Sequence, residues 1–382
     1  MSTTASPGAF PRARRSPLLE RPGAVEAEGA DAGVAWHYGD PVREQRMLEQ
    51  GLALVDLSSR GVVQVSGPDR LGWLDSLTSQ RLSGLAPRTS TESLVLSPEG
   101  RIEHALRVVD DGQVTHLVVE AAEVAPLVAW LERMRFLLRV EVRDATADLA
   151  VVGEPVARES AAGEPLAWVD RWPATAPTSA SYAAVPDAAH PGADRPWREV
   201  LVPRADLAAA TADRPLAGTW ASEALRVAAW RPRWGFETDE RSIPHELDWL
   251  RTAVHLAKGC YRGQETVAKV HNLGRPPRRL VLLHLDGSGA GLPAPGAEVV
   301  DAASQRPVGR VTTPARHHEL GPVALAVVRR STPVDARLLA DGIAAAQEVV
   351  VSPDAGTAAP RPRAGFAPPP ARGGARPDPA RP

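Results

Sequence analysis

The sequence predicts an α+β protein in which two mixed units precede a small antiparallel β-barrel. Three observations predict it. Residues 62–142 alternate short strand patterns with two stretches of helical period. Residues 280–351 hold five or more short apolar runs separated by Gly, Pro, Ser and Asp turns. A chain of 382 residues also exceeds what one hydrophobic core usually organises.

The first unit is expected over 34–146. Val62, Val63 and Val65 mark a strand, and Gly67-Pro-Asp69 opens a helix with Leu71, Leu74 and Leu77 on one face. Strands at 94–96 and 102–109 flank a turn at Pro98-Glu-Gly100, and Asp111-Gly112 signals a hairpin into a strand at 114–119. Val124, Leu127, Val128, Leu131 and Met134 then follow the 3.6-residue period, and residues 138–142 close with a strand. A sheet with helices on one side is the economical arrangement.

The second unit is expected over 147–275. Residues 153–200 are dense in Ala and Pro and predict long loops, Asp206 caps a helix at Leu207, and 220–230 is helical in pattern. The irregular stretches 231–237 and 243–246 mix aromatics with charges, as a ligand-facing loop or a packed surface loop would. The barrel is expected over 276–352. The two ends, 1–33 and 353–382, are rich in Pro, Arg, Gly and Ala and predict disorder.

Composition excludes several function classes. A formal charge of −2 argues against direct nucleic-acid binding. No apolar run approaches the roughly 20 residues that span a bilayer, so no membrane partner is expected. The start lacks the apolar stretch of a secretory leader. Arg12, Arg14, Arg15 and Arg21 leave an organelle transit peptide open beside a disordered bacterial extension. The single cysteine, Cys260, rules out an intrachain disulfide framework and predicts a reducing, cytoplasmic setting.

Common catalytic signatures fail. Neither lysine follows a glycine, as a phosphate-binding P-loop needs. Gly287-Ser-Gly289-Ala-Gly291 has Leu292 where a dinucleotide fingerprint needs its last glycine, and no Gly-x-Ser-x-Gly elbow occurs. One cysteine cannot hold an iron–sulfur cluster alone. His317-His318 reads as a pair of loop histidines, so no metal ligand and no stably bound metal are assigned.

What remains is Lys258-Gly259-Cys260-Tyr261-Arg262-Gly263-Gln264-Glu265. Lysine occurs only at 258 and 269 in a chain whose other basic residues are arginine, and the one cysteine lies between them. Gly259 and Gly263 allow sharp backbone or close approach. Lys258 and Arg262 bring positive charge that favours thiolate. Tyr261 supplies a ring for stacking, and Gln264 and Glu265 supply hydrogen-bonding groups. The bland alternative is a buried structural cysteine in a glycine-containing turn.

At this motif the sequence resembles the YgfZ family. Gly67-Pro-Asp-Arg70, Leu77-Thr-Ser-Gln80, the run from Leu225 to Glu246, and Val308-Gly-Arg-Val-Thr312 carry the resemblance over about 35–351. It implies the fold of the glycine-cleavage T protein: folate-binding α+β domains around a central channel with a C-terminal β-barrel, the first two units free to exchange segments. It implies tetrahydrofolate or a derivative as cofactor, with the pterin in the channel. It implies support of [4Fe-4S] assembly, insertion or repair, including in tRNA-thiolating enzymes. Iron–sulfur client enzymes or cluster carriers would be the partners.

Lys258, Cys260, Tyr261, Gly263, Gln264 and Glu265 match that signature one by one. Cys260 and Lys258 are then the candidate functional pair, and Tyr261, Arg262, Gly263, Gln264 and Glu265 the candidate cofactor contacts. Two departures stand out. His104 and Ala105 occupy the place of the T protein's acidic pair, and Ala228 that of its pterin-binding glutamate. Their loss argues against aminomethyl transfer, with Glu237 or Glu246 as replacement carboxylates. A tetrahydrofolate-dependent aminomethyltransferase is the competing enzyme reading.

Overall fold

The structure is a computed structural model that describes residues 14–289 and 291–356. The first unit is a five-stranded antiparallel sheet in the order Ser90–Leu96, Ile102–Asp110, Val114–Val119, Gly61–Ser66, Glu141–Asp144. Helices Arg70–Leu77 and Ala121–Met134 cover one face. They bury Trp73, Leu74, Leu127 and Leu131 against Val63, Val65, Leu106 and Leu117. The alternation in Gly61–Ser66 and the 3.6 period of Ala121–Met134 are what aim these side chains inward. The last strand begins at Glu141, later than the apolar run predicts. Phe136 and Leu137 form a turn before it and are 88% and 84% exposed.

The second sheet runs Ala167–Val169, Arg198–Pro203, Leu149–Glu154, Leu54–Asp56, Leu216–Ala217. Leu54–Asp56 lies before the first sheet in sequence yet pairs antiparallel with Leu149–Glu154 and parallel with Leu216–Ala217. The two units therefore exchange a segment, and the boundary at 146 does not separate them in space. The sheets share a core: Val62, Val109 and Val118 of the first pack with Val55, Val151, Trp168 and Leu201 of the second.

Of the residues 1–33 expected to be disordered, 14–33 are ordered and 1–13 lie outside the described residues. Pro17–Glu20 forms a 3-10 turn whose Leu18 and Leu19 are 1% and 8% exposed. Leu18 packs with Leu54, Ala150, Val152, Val202 and Leu207 on the outer face of the second sheet. Composition misled here because two leucines and one aspartate, Asp31, outweigh the surrounding Pro, Gly and Ala. Of the residues 353–382 expected to be disordered, 353–356 are ordered, with Asp354 paired to Arg275 and Ala355 packed on the core, and 357–382 lie outside the described residues.

The barrel is closed and has six strands: Arg278–Leu285, Gly321–Arg329, Pro307–His317, Glu298–Asp301, Arg337–Ala340 and Ile343–Val349. Arg337–Ala340 was not evident from pattern, because its sequence, Arg-Leu-Leu-Ala, does not alternate in polarity even though Leu338 and Ala340 are buried. A separate core joins the barrel to the rest. Leu280, Leu282 and Leu325 meet Leu94 and Leu96 of the first sheet, Leu250 and Val254, and Tyr261 and Val267.

Candidate functional site

The motif sits on that junction, and most of its groups build structure. The Lys258 side chain is 1% exposed. Its ammonium donates to the carbonyls of Thr78 and Gln80 at 2.8 Å each and to that of Asp75. Burial lowers its pKa, and the Asp75 carboxylate at 3.6 Å works against that. Lys258 therefore pins residues 255–260 onto the end of Arg70–Leu77, its ammonium committed to those three carbonyls. Tyr261 is 8% exposed and joins the core, so it offers no stacking face. Arg262 forms a bidentate pair with Glu103 at 2.7 and 3.2 Å.

Gly263 is needed for two reasons. Its φ is +82°, and a Cβ there would come within 2.5 Å of the Ser97 carbonyl and 3.0 Å of the Gly100 Cα. Gly100, at φ +74°, faces it just as closely, with Thr266 Cβ 2.9 Å from where its own Cβ would be. The Pro98-Glu-Gly100 turn thus locks against the start of the helix Gln264–Leu273. Gln264 donates to the Lys258 carbonyl at 3.4 Å. Of the motif's side chains, Cys260 and Glu265 alone are exposed.

A second set of features lies along the helix Thr219–Ala228. Three cavities follow it. The largest, about 830 Å³, opens between this helix, the N-terminal arm and the barrel, with Trp36, Trp220, Phe236, Asp31, Glu223 and Arg316 among its walls. Trp36 and Trp220 stack at 4.7 Å. A middle space of about 20 Å³, room for a single water, shares Glu223 with it. A third cavity of about 270 Å³ shares Arg195 and Trp197 with the middle one and is walled by Ala228, Glu49, His317 and Glu319. Two cavities are thus divided by a plug along this helix, where a central channel was expected.

The plug is a buried network of arginines and carboxylates. Arg233 makes a bidentate pair with Asp31 at 2.9 and 2.7 Å and reaches Glu120 at 2.7 Å. Arg226 bonds Glu223 and Glu237, each at 2.9 Å. Arg231 bonds Glu92 at 2.6 Å and Asp170 at 3.1 Å. Arg60 pairs with Glu199, which Arg107 also approaches at 3.3 Å. Burial opposes ionisation of Glu223, but Arg226 and Arg233 hold its pKa down at about 2. Glu120 is likewise held below the usual range by Arg233, Arg60 and Arg107 against the same burial.

The two replacement carboxylates proposed from sequence are not free for a ligand. Glu237 is fully buried and accepts from the Arg233 amide at 2.8 Å, Thr312 at 2.9 Å and Thr313 at 2.5 Å, besides Arg226. Glu246 is 1% exposed and is held by Arg278 at 2.9 and 2.8 Å. The stretch 231–237 thus buries Arg231, Arg233 and Glu237 in the interior while Phe236 reaches the wall of the large cavity. His104, in the place of the acidic pair, lies 3.3 Å from the Glu123 carboxylate. Glu123 in turn accepts the Ala105 and Glu120 amides, while Glu103 faces Arg262. The sequence reading missed Trp36, Trp220 and the arginines of the plug. Trp220 was visible as a helix-start aromatic, but in an arginine-rich chain no single arginine stands out.

This is the fold of the glycine-cleavage T protein. The crystal structure of the glycine cleavage system aminomethyltransferase T from Bartonella henselae superimposes with a TM-score of 0.68 at 18% identity, covering 88% of this chain and 95% of that one. Residues 18–161 match the family model of the GCVT N-terminal domain, which begins inside the arm that composition assigned to disorder. The aminomethyltransferase of Moorella thermoacetica is 27% identical over 351 residues, 84% of this chain and 90% of its own. A putative chloroplastic transferase of Arabidopsis thaliana is 24% identical over 302 residues, 74% of this chain and 66% of its own. Among the described residues no helix is long and apolar enough to cross a membrane.

Proposed function

We propose that this chain is a folate-binding accessory protein of the cytoplasm that supports assembly, insertion or repair of [4Fe-4S] clusters in client enzymes, those that thiolate tRNA included. One observation carries the reading. The motif commits Lys258, Tyr261 and Arg262 to holding a loop whose exposed nucleophile is Cys260. A thiol presented this way suits ligation of an iron within a cluster shared with a carrier or client, the cluster being cargo. The acids that aminomethyl transfer would use are replaced at His104, Ala105 and Ala228, and the carboxylates of the plug are all ion-paired.

Tetrahydrofolate fits the 830 Å³ cavity in size, since ligand pockets commonly span about 300–1,000 Å³. Trp220 and Phe236 offer faces for a flat ring, and Glu28 offers a carboxylate that makes no ion pair among the described residues. Arg316, on the same wall, carries charge of the sign a glutamate tail requires. When bound, folate would supply a one-carbon carrier or a redox-active pterin.

The names of the relatives favour the competing reading, a tetrahydrofolate-dependent aminomethyltransferase. A deletion strain separates the two. Lowered activity of several [4Fe-4S] enzymes with intact glycine cleavage, restored by wild type but not by Cys260→Ser, is expected. Steady formation of methylene-tetrahydrofolate from an aminomethyl donor by the purified chain would overturn the accessory reading. Folate itself should quench tryptophan fluorescence saturably, and Trp220→Ala should weaken that binding about tenfold, as loss of one stacking partner implies.

A further inference from the structure

The hairpin joining Pro307–His317 to Gly321–Arg329 is clamped to Pro41–Glu49, the first α-helix among the described residues. Gln45 donates to the Arg316 carbonyl at 3.0 Å and accepts the His318 amide at 2.9 Å. His317 Nδ1 accepts the amides of Glu319 and Leu320, each at 3.2 Å. The turn backbone is therefore held at both ends, and three side chains are set beside one another as a result.

Those side chains are Glu49, His318 and Glu319, whose ligand atoms all lie within 4.8 Å of one another, the one such group among the described residues. The His318 side chain is 3% exposed. Its Nε2 points to within 3.2 Å of Glu49 Oε2 yet forms no hydrogen bond. The contact is an ion pair only when the ring is protonated; with a neutral ring the buried nitrogen and the carboxylate meet without a hydrogen bond, and the nitrogen then needs a partner. A cation between them would meet both lone pairs. With bonds of about 2.0–2.1 Å, neighbouring ligand atoms of tetrahedral zinc stand about 3.4 Å apart, close to the 3.2 Å between His318 Nε2 and Glu49 Oε2, and Glu319 lies within 4.8 Å of both.

We infer that Glu49, His318 and Glu319 form a binding site for a divalent transition ion, zinc by ligand type, that fastens the C-terminal barrel to the first helix. One imidazole and two carboxylates suit zinc, and three protein ligands leave a position for water. Glu49 and Glu319 also line the 270 Å³ cavity, so the ion would stand at its rim. The site is independent of the motif and of the folate reading.

The test uses the full chain after dialysis against a chelator. Calorimetric titration with zinc chloride should show one saturable equivalent, and the bound ion should raise the melting temperature. Cobalt should give the visible bands of a four-coordinate site without a thiolate charge-transfer band. His318→Ala and Glu49→Gln should each weaken binding at least about tenfold, the scale expected when a ligand is lost. Cys260→Ser should leave binding unchanged and so separates this site from adventitious metal on the exposed thiol. If His318→Ala does not fold, Glu319→Gln on the exposed turn carries the test. No saturable binding, or binding lost in Cys260→Ser and kept in the Glu49 and Glu319 variants, would overturn the site.

Discussion

The motif loop and the plug along Thr219–Ala228 both bury charge, and they use it in opposite ways. At the motif, one lysine satisfies three carbonyls of a neighbouring segment, and the result is a displayed thiol. At the plug, arginines and carboxylates satisfy one another, and the result is a closed centre. The motif draws its parts from a few consecutive residues. The plug draws them from Asp31, Glu92, Glu120, Asp170, Glu199 and the 223–237 stretch. Buried charge by itself therefore does not mark a reaction centre. What distinguishes the two regions is whether anything reactive is left exposed once the pairing is complete.

The largest effect should come from removing the arm that closes the plug from outside. Deleting residues 2–33 takes away the burial of Leu18 and Leu19, about 3 kcal/mol or more together. It also leaves Arg233 without its bidentate partner Asp31. The truncated chain should melt far below the full chain or fail to accumulate as soluble protein. A truncation that melts like the full chain would show that the arm only decorates the centre, and the comparison would lose one of its sides.

Within the plug, Arg233→Met should cost about 3–5 kcal/mol, the scale for breaking a buried ion pair from one side. It would strand the Asp31 carboxylate and leave Glu120 only its weaker contacts with Arg60 and Arg107, read by denaturant unfolding. The same network sets the acid limit. Glu120 and Glu223 have folded pKa values depressed below their ordinary value of 4.5, with Glu223 at about 2. A depressed carboxylate contributes stability above its unfolded pKa and loses it as pH falls through the folded value. Stability should therefore drop between about pH 4.5 and 2, and Arg233→Met, which raises the folded values, should make that drop smaller and end it at higher pH. An acid limb identical in both proteins would show that the plug does not act as one unit.

The same contrast explains what was legible in the sequence. The first sheet, its two helices and most of the barrel follow from periods of 2 and 3.6 residues and from turn residues. These are local signals, and they hold. The segment exchange through Leu54–Asp56 rests on a three-residue strand, too short to announce a partner. The motif was visible because its spacing is short and lysine is rare. Its internal roles were not, because proximity in sequence placed Lys258 beside the thiol while its side chain turns to the carbonyls at 75–80. Glu237 and Glu246 looked like spare acids in an irregular stretch. Only the fold reveals the arginines that hold them.

The smallest stability effect should come from the residue with the largest functional part. Cys260 is exposed, so Cys260→Ser should change stability by no more than about 0.5 kcal/mol, as surface substitutions usually do. Its neighbour two positions earlier is the opposite case. Lys258→Met keeps most of the apolar stem but leaves three carbonyls without their donor, which should cost about 2–3 kcal/mol. If the lysine only holds the loop, the folded Lys258→Met protein should alkylate at Cys260 within about twofold of wild type, because no cation near the sulfur has been lost. A much slower alkylation would mean that the ammonium does act on the thiol. A destabilised Cys260→Ser would mean that the sulfur is part of the packing. Either result would remove the distinction between a loop built to display a thiol and a centre built to be filled.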